Sequence, residues 1–547
     1  MSSKPEPRPS QEPTGDASEA GSDSIRTELS GCVFRHVKGF YAKYFEDKSW
    51  STAAEQAAQK VQLDVASALY RDFLELKSQG SFSAWLARLQ SMSLAEGQIL
   101  HHFRSPQVNT SDHPLRAIVY LVASSGRSES SSPPPAADAR VFGDFSVDAS
   151  DIGPESVSRF YETARQVFQA RPTRRFLHGF QIRGSTMELW MFDRSGAYSS
   201  DKLDIVQRPD LLIKTMASYA MTNDEEAGFT SFIRRDGLGS YVAFGGADEN
   251  ETERLYLEDK PIAAPQYLVG PGTTCYAART STSQTAGFVV KFAWREDAIH
   301  TERELLELTK DRNVWGVIRA LGWQDLGSIG GLRQGLRFNQ PYDFPPAAAD
   351  GRATSEGDTP IATVAGSDKD YDPLFINHAK GVLIDLDGAL DLEKGPARRG
   401  ELVGSEGFMA IGILTGDPHT YRHDLESLFY VFLWVAICND REHDDERSLR
   451  HEPETSRRWG WCSMDFRSVS RNKSVDMSPE GFPRILGEFS TEFKHLKGLA
   501  RELRQLLFLM RDGDIFTGSD MDQDGINRLY DGMIDAFNRS IASQTQE

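Results

Sequence analysis

The sequence predicts an α+β fold spread over more than one domain, and three observations predict it. At 547 residues the chain exceeds what one hydrophobic core serves, so two to four domains are expected. Alternating, turn-bounded segments such as FLHGFQI and MELWMFDRSGAYSSDKLDI read as hairpin strands around a turn at Arg194 to Gly196. Segments of helical period stand beside them, among them Pro154 to Ala170 and TERELLELTK at 301–310.

In chain order, residues 1–25 are polar and rich in Pro, Ser and Glu, with no apolar run of the signal-peptide kind, and are expected to form a disordered tail. Residues 26 to about 125 mix helical periodicity (GCVFRHVKGFYAKYFEDKSW, EGQILHHF) with one strand-like run, Ala117 to Val122. The stretch SSGRSESSSPPPAADAR, about 124–140, cannot bury enough apolar surface to fold and reads as a linker. With the helix and hairpins that follow, this makes an N-terminal α+β domain over 26–250. A second domain, 251–540, is interrupted at about 345–370 by an insert rich in Pro, Ala, Gly, Ser, Thr and Asp, which is expected to lack fixed structure.

Eighty acidic against 61 basic side chains give a formal charge of -19, which repels phosphate backbones and anionic lipid, so neither nucleic acid nor a membrane surface is expected as a partner. The most apolar run, Leu428 to Cys438, is about half of the roughly 20 residues a bilayer span needs, and reads as a buried helix. Four cysteines, Cys32, Cys275, Cys438 and Cys462, form no C-x-x-C pair; a reducing compartment, cytoplasmic or nuclear, is expected.

The chemistry lies in the second domain. QYLVGPGTTCYAARTSTSQTAGFVVKFAW reads as three antiparallel strands, with turns at Gly270 to Gly272 and near Gly287. A G-x-G turn lets backbone N–H groups approach phosphate oxygens. Alone it is an ordinary hairpin signal, and Lys291 alone an ordinary strand lysine. Their spacing joins them, because an amine on the third strand sits under such a turn. The helix that follows places Glu302 beside Leu305 and Leu306, where it can pair with Lys291; Glu304 is the fallback, and a solvated face of Glu302, Glu304 and Glu307 the alternative. A five-stranded lobe over about 255–338 is expected, with this helix packed on the two leucines. Residues 313–338 have room for two of the strands. KGVLIDLDGAL then reads as a strand ending in Asp385, an acid placed to hold a metal across phosphates, with a plain turn at Asp387 and Gly388 as the alternative. HTYRHDLESLFYVFLWVAI opens a central helix in which Asp424 is expected as a buried structural anchor accepting backbone hydrogen bonds.

These residues resemble the fungal-type protein kinase family, and the phrases RPTRRFLHGFQIRGSTMELWMFDRSGAYSSDKLDI, LIDLDGA, FMAIGIL and HDLESLFYVFLW stand in that family's order. The resemblance implies a two-lobed protein-kinase-like fold, with a β-rich N-lobe and an α-rich C-lobe behind a family-specific N-terminal domain. It implies ATP and Mg²⁺ as cofactors, and Ser or Thr of an unidentified protein substrate as acceptor. Carried over, it sets Gly270, Gly272 and Thr273 at the nucleotide, pairs Lys291 with Glu302, and gives Asp385 the metal. Ser405 stands where the family usually has threonine, and Cys275 replaces the third glycine of the kinase loop pattern.

One part is missing. No H-R-D triplet occurs in the chain, and Arg422-His423-Asp424 follows the metal-binding strand instead of preceding it. Asp370 and Asp372, with Asn377 for metal, are the only weak substitutes, and Asp372 before Pro373 reads as a turn acid. Three readings stay open: an active serine/threonine kinase; a pseudokinase that binds nucleotide or serves as a scaffold; and a product that lacks an exon. Finally, DMDQDGINRLYD resembles a calcium loop, with Asp520, Asp522 and Asp524 at alternate positions. Asp531 replaces the twelfth-position Glu, and a helix cap is the favoured reading.

Overall fold

The computed structural model describes residues 25–26, 28–60, 63–76, 79–93, 101–109, 116–123, 136–149, 154–244, 253–283, 285–295, 302–314, 317–342, 359–366, 407–438, 456–462, 465–511 and 513–544. They form a mixed α+β structure in two compact units, Met1–Ile384 and Asp385–Glu547.

The first unit holds two sheets. Strands β1 (Val33–Phe34), β2 (His101–Asn109), β3 (Arg116–Ala123), β4 (Val141–Ser146), β5 (Phe176–Arg183), β6 (Thr186–Asp193), β7 (Gly196–Ser199) and β8 (Leu203–Asp204) make the first, ordered β1-β7-β6-β5-β4-β3-β2 with β8 beside β6. The turns fit the residues at them. Gly184 at φ 52 closes β5 to β6, and Gly196 at φ 125 follows the Arg194–Ser195 tip of the β6–β7 hairpin, where Ser195 N–H donates to Asp193 Oδ1 at 2.9 Å.

Both faces of this sheet are covered. On β6, Met187, Leu189 and Met191 point to one core, shared with helices α1 (Phe40–Phe45), α2 (Ser51–Lys60), α3 (Leu63–Leu74) and α4 (Gln79–Ser93). Trp190 and Phe192 point to the other, where α5 (Pro154–Ala170) lays Phe160, Tyr161, Ala164, Val167 and Phe168 at helical spacing. Helix α5 is the crossover that lets β4 and β5 run parallel. Helix α6 (Pro209–Met221) joins the first core through Leu212, Ile213 and Met216.

The second sheet has seven antiparallel strands, not the five expected: β9 (Arg234–Asp236), β10 (Gly239–Phe244), β11 (Glu253–Leu257), β12 (Thr274–Thr280), β13 (Phe288–Arg295), β14 (Arg319–Asp325) and β15 (Thr359–Gly366), ordered β14-β15-β13-β12-β11-β10-β9. β9 and β10 extend it from before residue 250. β15 lies inside the stretch expected to lack fixed structure, and its β-branched Thr359, Ile361, Thr363 and Val364 suit the pleated ladder they form with β13 and β14. Helix α7 (Glu302–Asp311) follows β13. Where a second strand was expected in 313–338 stands a short helix, α8 (Ile329–Arg333), capped by Ser328 Oγ accepting from Gly331 N–H at 3.0 Å.

The second unit is helical: α9 (Ile411–Leu414), α10 (Tyr421–Cys438), α11 (Phe466–Met477), α12 (Phe482–Gly487), α13 (Lys497–Leu507) and α14 (Gln523–Gln544), with a two-stranded ribbon of β16 (Met510–Arg511) and β17 (Asp514–Ile515). Phe429, Tyr430, Leu433, Ala436 and Ile437 of α10 centre its core. Asp522, from the calcium-like loop, caps α14 by accepting from Gly525 N–H at 2.8 Å. Among the described residues no group of three His, Cys, Asp or Glu side chains is placed to hold a metal, and no helix is long and apolar enough to cross a membrane. Cys32, Cys275 and Cys462 are in no disulfide.

Candidate functional site

Strand β13 buries Val290, Phe292 and Trp294 on one side, so the alternation of a strand puts Lys291 on the other. Helix α7 buries Leu305 and Leu306, and Glu302, three positions ahead of Leu305, shares their side. The two elements bring Lys291 Nζ to 3.0 Å from Glu302 Oε2, with 11% and 10% of the side chains exposed. In so dry a pair, truncating one partner strands a charge at a cost of about 3–5 kcal/mol. Glu304 is exposed, and Glu307 faces Arg303 on the surface at 3.4 Å.

Gly270 and Gly272 have φ of 122 and 57, the left-handed region that favours glycine. Trp294 N–H donates to the Pro271 carbonyl at 2.7 Å, which seats the turn beside the C-terminal end of β13, three residues past Lys291. Thr273 links the turn to β12, where Thr274 Oγ donates to the Gly272 carbonyl at 3.1 Å. Cys275 stands opposite Lys291 in the ladder and so on the same face. The two glycines differ in what surrounds them. A Cβ at Gly270 would meet open space, whereas one at Gly272 would stand 2.7 Å from Arg194 Nε. Gly272 is therefore required by a packed arginine, whatever approaches from outside. Burial lowers Arg194 to about 10, against an opposing pull from Glu28. On β12, burial likewise pushes the Tyr276 phenol up.

Asp370, Asp372, Asn377, Asp385 and Ser405 fall outside the described residues. Asp424 is not the buried anchor expected of it: its side chain is 70% exposed and lies 2.7 Å from His419 Nε2. The buried acid of α10 is Glu426, fully enclosed, which accepts from Ile411 N–H at 2.8 Å, Arg422 Nη1 at 2.9 Å and Tyr430 Oη at 2.8 Å. The cause is helix phase, since residues two apart on a helix face nearly opposite ways. Asp193, Arg194 and Arg333 are further buried or half-buried polar residues whose long-range contacts no local pattern in the sequence marks.

The family model described as Fungal protein kinase matches residues 117–372 and 364–436, more than half of the chain. No curated protein matches the chain.

Proposed function

The chain belongs to the fungal protein kinase family, and from that premise we propose that it is a kinase-like protein that binds nucleotide and transfers no phosphate at a kinase rate. The observation that carries the proposal is the enclosed Lys291–Glu302 pair. In protein kinases a strand lysine held by a helix glutamate meets the α- and β-phosphates, and this pair stands beside a G-x-G turn. Such an arrangement suits an ATP phosphate chain. Lys291 would supply its counter-charge, and Asp385 would hold Mg²⁺, which when bound neutralises charge on the phosphates.

Transfer needs a second set of groups, an Asp that orients the acceptor hydroxyl and an Asn for the second metal. With no H-R-D anywhere in 547 residues, that set has no candidate beyond Asp370 and Asp372. Loss of acid–base assistance alone costs on the order of 10² to 10⁴ in rate. The alternative is an exon lost between Arg312 and Asp385, where a kinase carries its catalytic loop. Sequencing the transcript across the codons for Asn339 to Lys380 separates the two, because about sixty extra codons containing H-R-D would restore the enzyme, a length set by the helices and loop a kinase C-lobe places there.

The purified full-length chain is assayed with labelled ATP, Mg²⁺ and generic protein acceptors, and separately for ADP binding by calorimetry. Saturable ADP binding is expected, weakened at least about tenfold by Lys291→Met, as removal of a phosphate-paired charge implies. Phosphate transfer that vanishes in both Lys291→Met and Asp385→Asn would overturn the inactive reading. Failure of the wild type to bind ADP would overturn the nucleotide reading.

A further inference from the structure

The β6–β7 hairpin belongs to the first sheet, yet Asp193 at the end of β6 and Arg194 at the tip reach segments that connect strands of the second. Asp193, fully buried, takes a two-pronged ion pair from Arg333 of α8, at 2.9 Å from Nε and 2.7 Å from Nη2. Arg194 is 1% exposed and works in three directions. Its carbonyl accepts from Gly270 N–H at 2.8 Å. Its Nη1 donates to the carbonyls of Tyr267 at 2.7 Å and Leu268 at 3.2 Å. Its Nη2 donates to the Pro172 carbonyl at 3.0 Å, and the guanidinium stacks 4.8 Å from the Phe168 ring.

Glu28 completes the hold from the same side, accepting from Leu268 N–H and, at 2.8 Å, from Val269 N–H. Leu268 itself is fully buried in the first sheet's outer core, with Phe168, Trp190 and Ala197. Backbone polar groups from Tyr267 to Gly270 are thus bonded to Arg194 of the β6–β7 turn and to Glu28. A surface flap would leave them to water or ligand. The first amide of the G-x-G turn is committed to Arg194 instead of to a phosphate.

We propose that the β6–β7 hairpin tip is a latch on the G-x-G turn: Arg194 and Glu28 fix residues 267–272 in one position, so that the first sheet sets the affinity of the second for nucleotide. The ligand named here rests on the nucleotide reading above; the latch itself does not. Arg194 is a positioning residue. A turn held in one conformation gives up less freedom on binding, so its release weakens binding without removing any group that touches ligand.

The test uses the full-length chain, amide hydrogen exchange over 266–273, and the dissociation constant for ADP with Mg²⁺. Arg194→Met keeps the backbone carbonyl and much of the apolar stem while removing three donor bonds. It is expected to speed exchange at Leu268, Val269 and Gly270 at least about tenfold and to weaken ADP about tenfold, with exchange in β3 to β5 unchanged and Arg194→Lys intermediate. Unchanged exchange at 268–270 in Arg194→Met, or faster exchange with unaltered ADP affinity, overturns the proposal. Should that variant not fold, Glu28→Ala is read in the same way at Leu268 and Val269. A wild type that binds no ADP removes the nucleotide reading, and exchange alone then decides whether the hairpin tip holds the turn.

Discussion

Lys473 shows at the scale of one residue how a buried charge reports on its surroundings. It is fully enclosed on α11, donates from Nζ to the Met409 carbonyl at 2.6 Å, and lies 4.0 Å from the centre of the Tyr430 ring. Burial pulls its ammonium down to about 7 from 10.5; Glu426 opposes the shift and Arg458 adds to it. Below pH 7 both folded and unfolded chains hold the proton and the cost of burying it is fully present. Between 7 and 10.5 the unfolded chain holds more protons, so stability rises with pH by up to about 1.4 kcal/mol per unit. Urea midpoints of the 385–547 unit should therefore climb from pH 7 to 9.5 in the wild type and stay flatter in Lys473→Met; parallel profiles would remove Lys473 as the cause. The neighbouring acid shows where sequence reasoning stopped. Helix α10 is apolar nearly all round, so nothing in its pattern chose between Asp424 and Glu426. Only the run Phe429, Tyr430, Leu433, Ala436 and Ile437, extended back by one turn, points to 426.

At the scale of elements, β4 and β5 carry a reciprocal fit. In their parallel register Phe142 stands opposite Gly179, and Gly143 opposite Phe180. A Cβ at Gly143 would overlap the Phe180 ring, and one at Gly179 would lie 2.8 Å from the Phe142 ring. Each glycine is the floor for the other strand's aromatic ring, on opposite faces of the sheet. Gly143→Ala is expected to destabilise the first sheet by about 1–3 kcal/mol through overpacking, with no change in the ADP affinity of the second; an unshifted urea midpoint would contradict the fit. The hairpins around this pair were legible because alternation and turn residues agree, as was α5, where Pro154 opens a clean helical period. β15 was not, because a composition average over Pro345 to Asp370 hides eight residues with four β-branched side chains. β1 was not either: two residues carry no periodicity, and its partner β7 lies far along the chain. The Lys291–Glu302 pair was legible because strand and helix periods each fix a face, whereas Arg194 and Arg333 act across sheets and leave no local trace.

For the whole molecule, acid should weaken the 1–384 unit. His178 and His101 are buried there, with Nε2 at 3.2 Å from the Glu226 carbonyl and 3.0 Å from the Thr222 carbonyl. Burial lowers them to about 3 and about 4, helped by Arg174 and Arg140 respectively. Below pH 6.5 the unfolded chain takes up protons that the folded chain refuses, so stability falls as pH falls, by up to about 1.4 kcal/mol per unit for each histidine. A His101→Gln, His178→Gln chain should lose less stability than wild type between pH 6.5 and 4.5; equal losses would place the acid sensitivity elsewhere. The pairing of β1 with β7 bears on how the protein is made. Synthesis delivers Val33 and Phe34 long before Ala197 and Tyr198, and the sheet edge they fill is built only after β6 has turned back. Until then Val33 lacks its ladder partner, while Tyr120, Val122, Phe142 and Phe160, which share its core, are already made. Val33 and Phe34 are thus paired only well after they are made, and this segment is the one on which a chaperone would act.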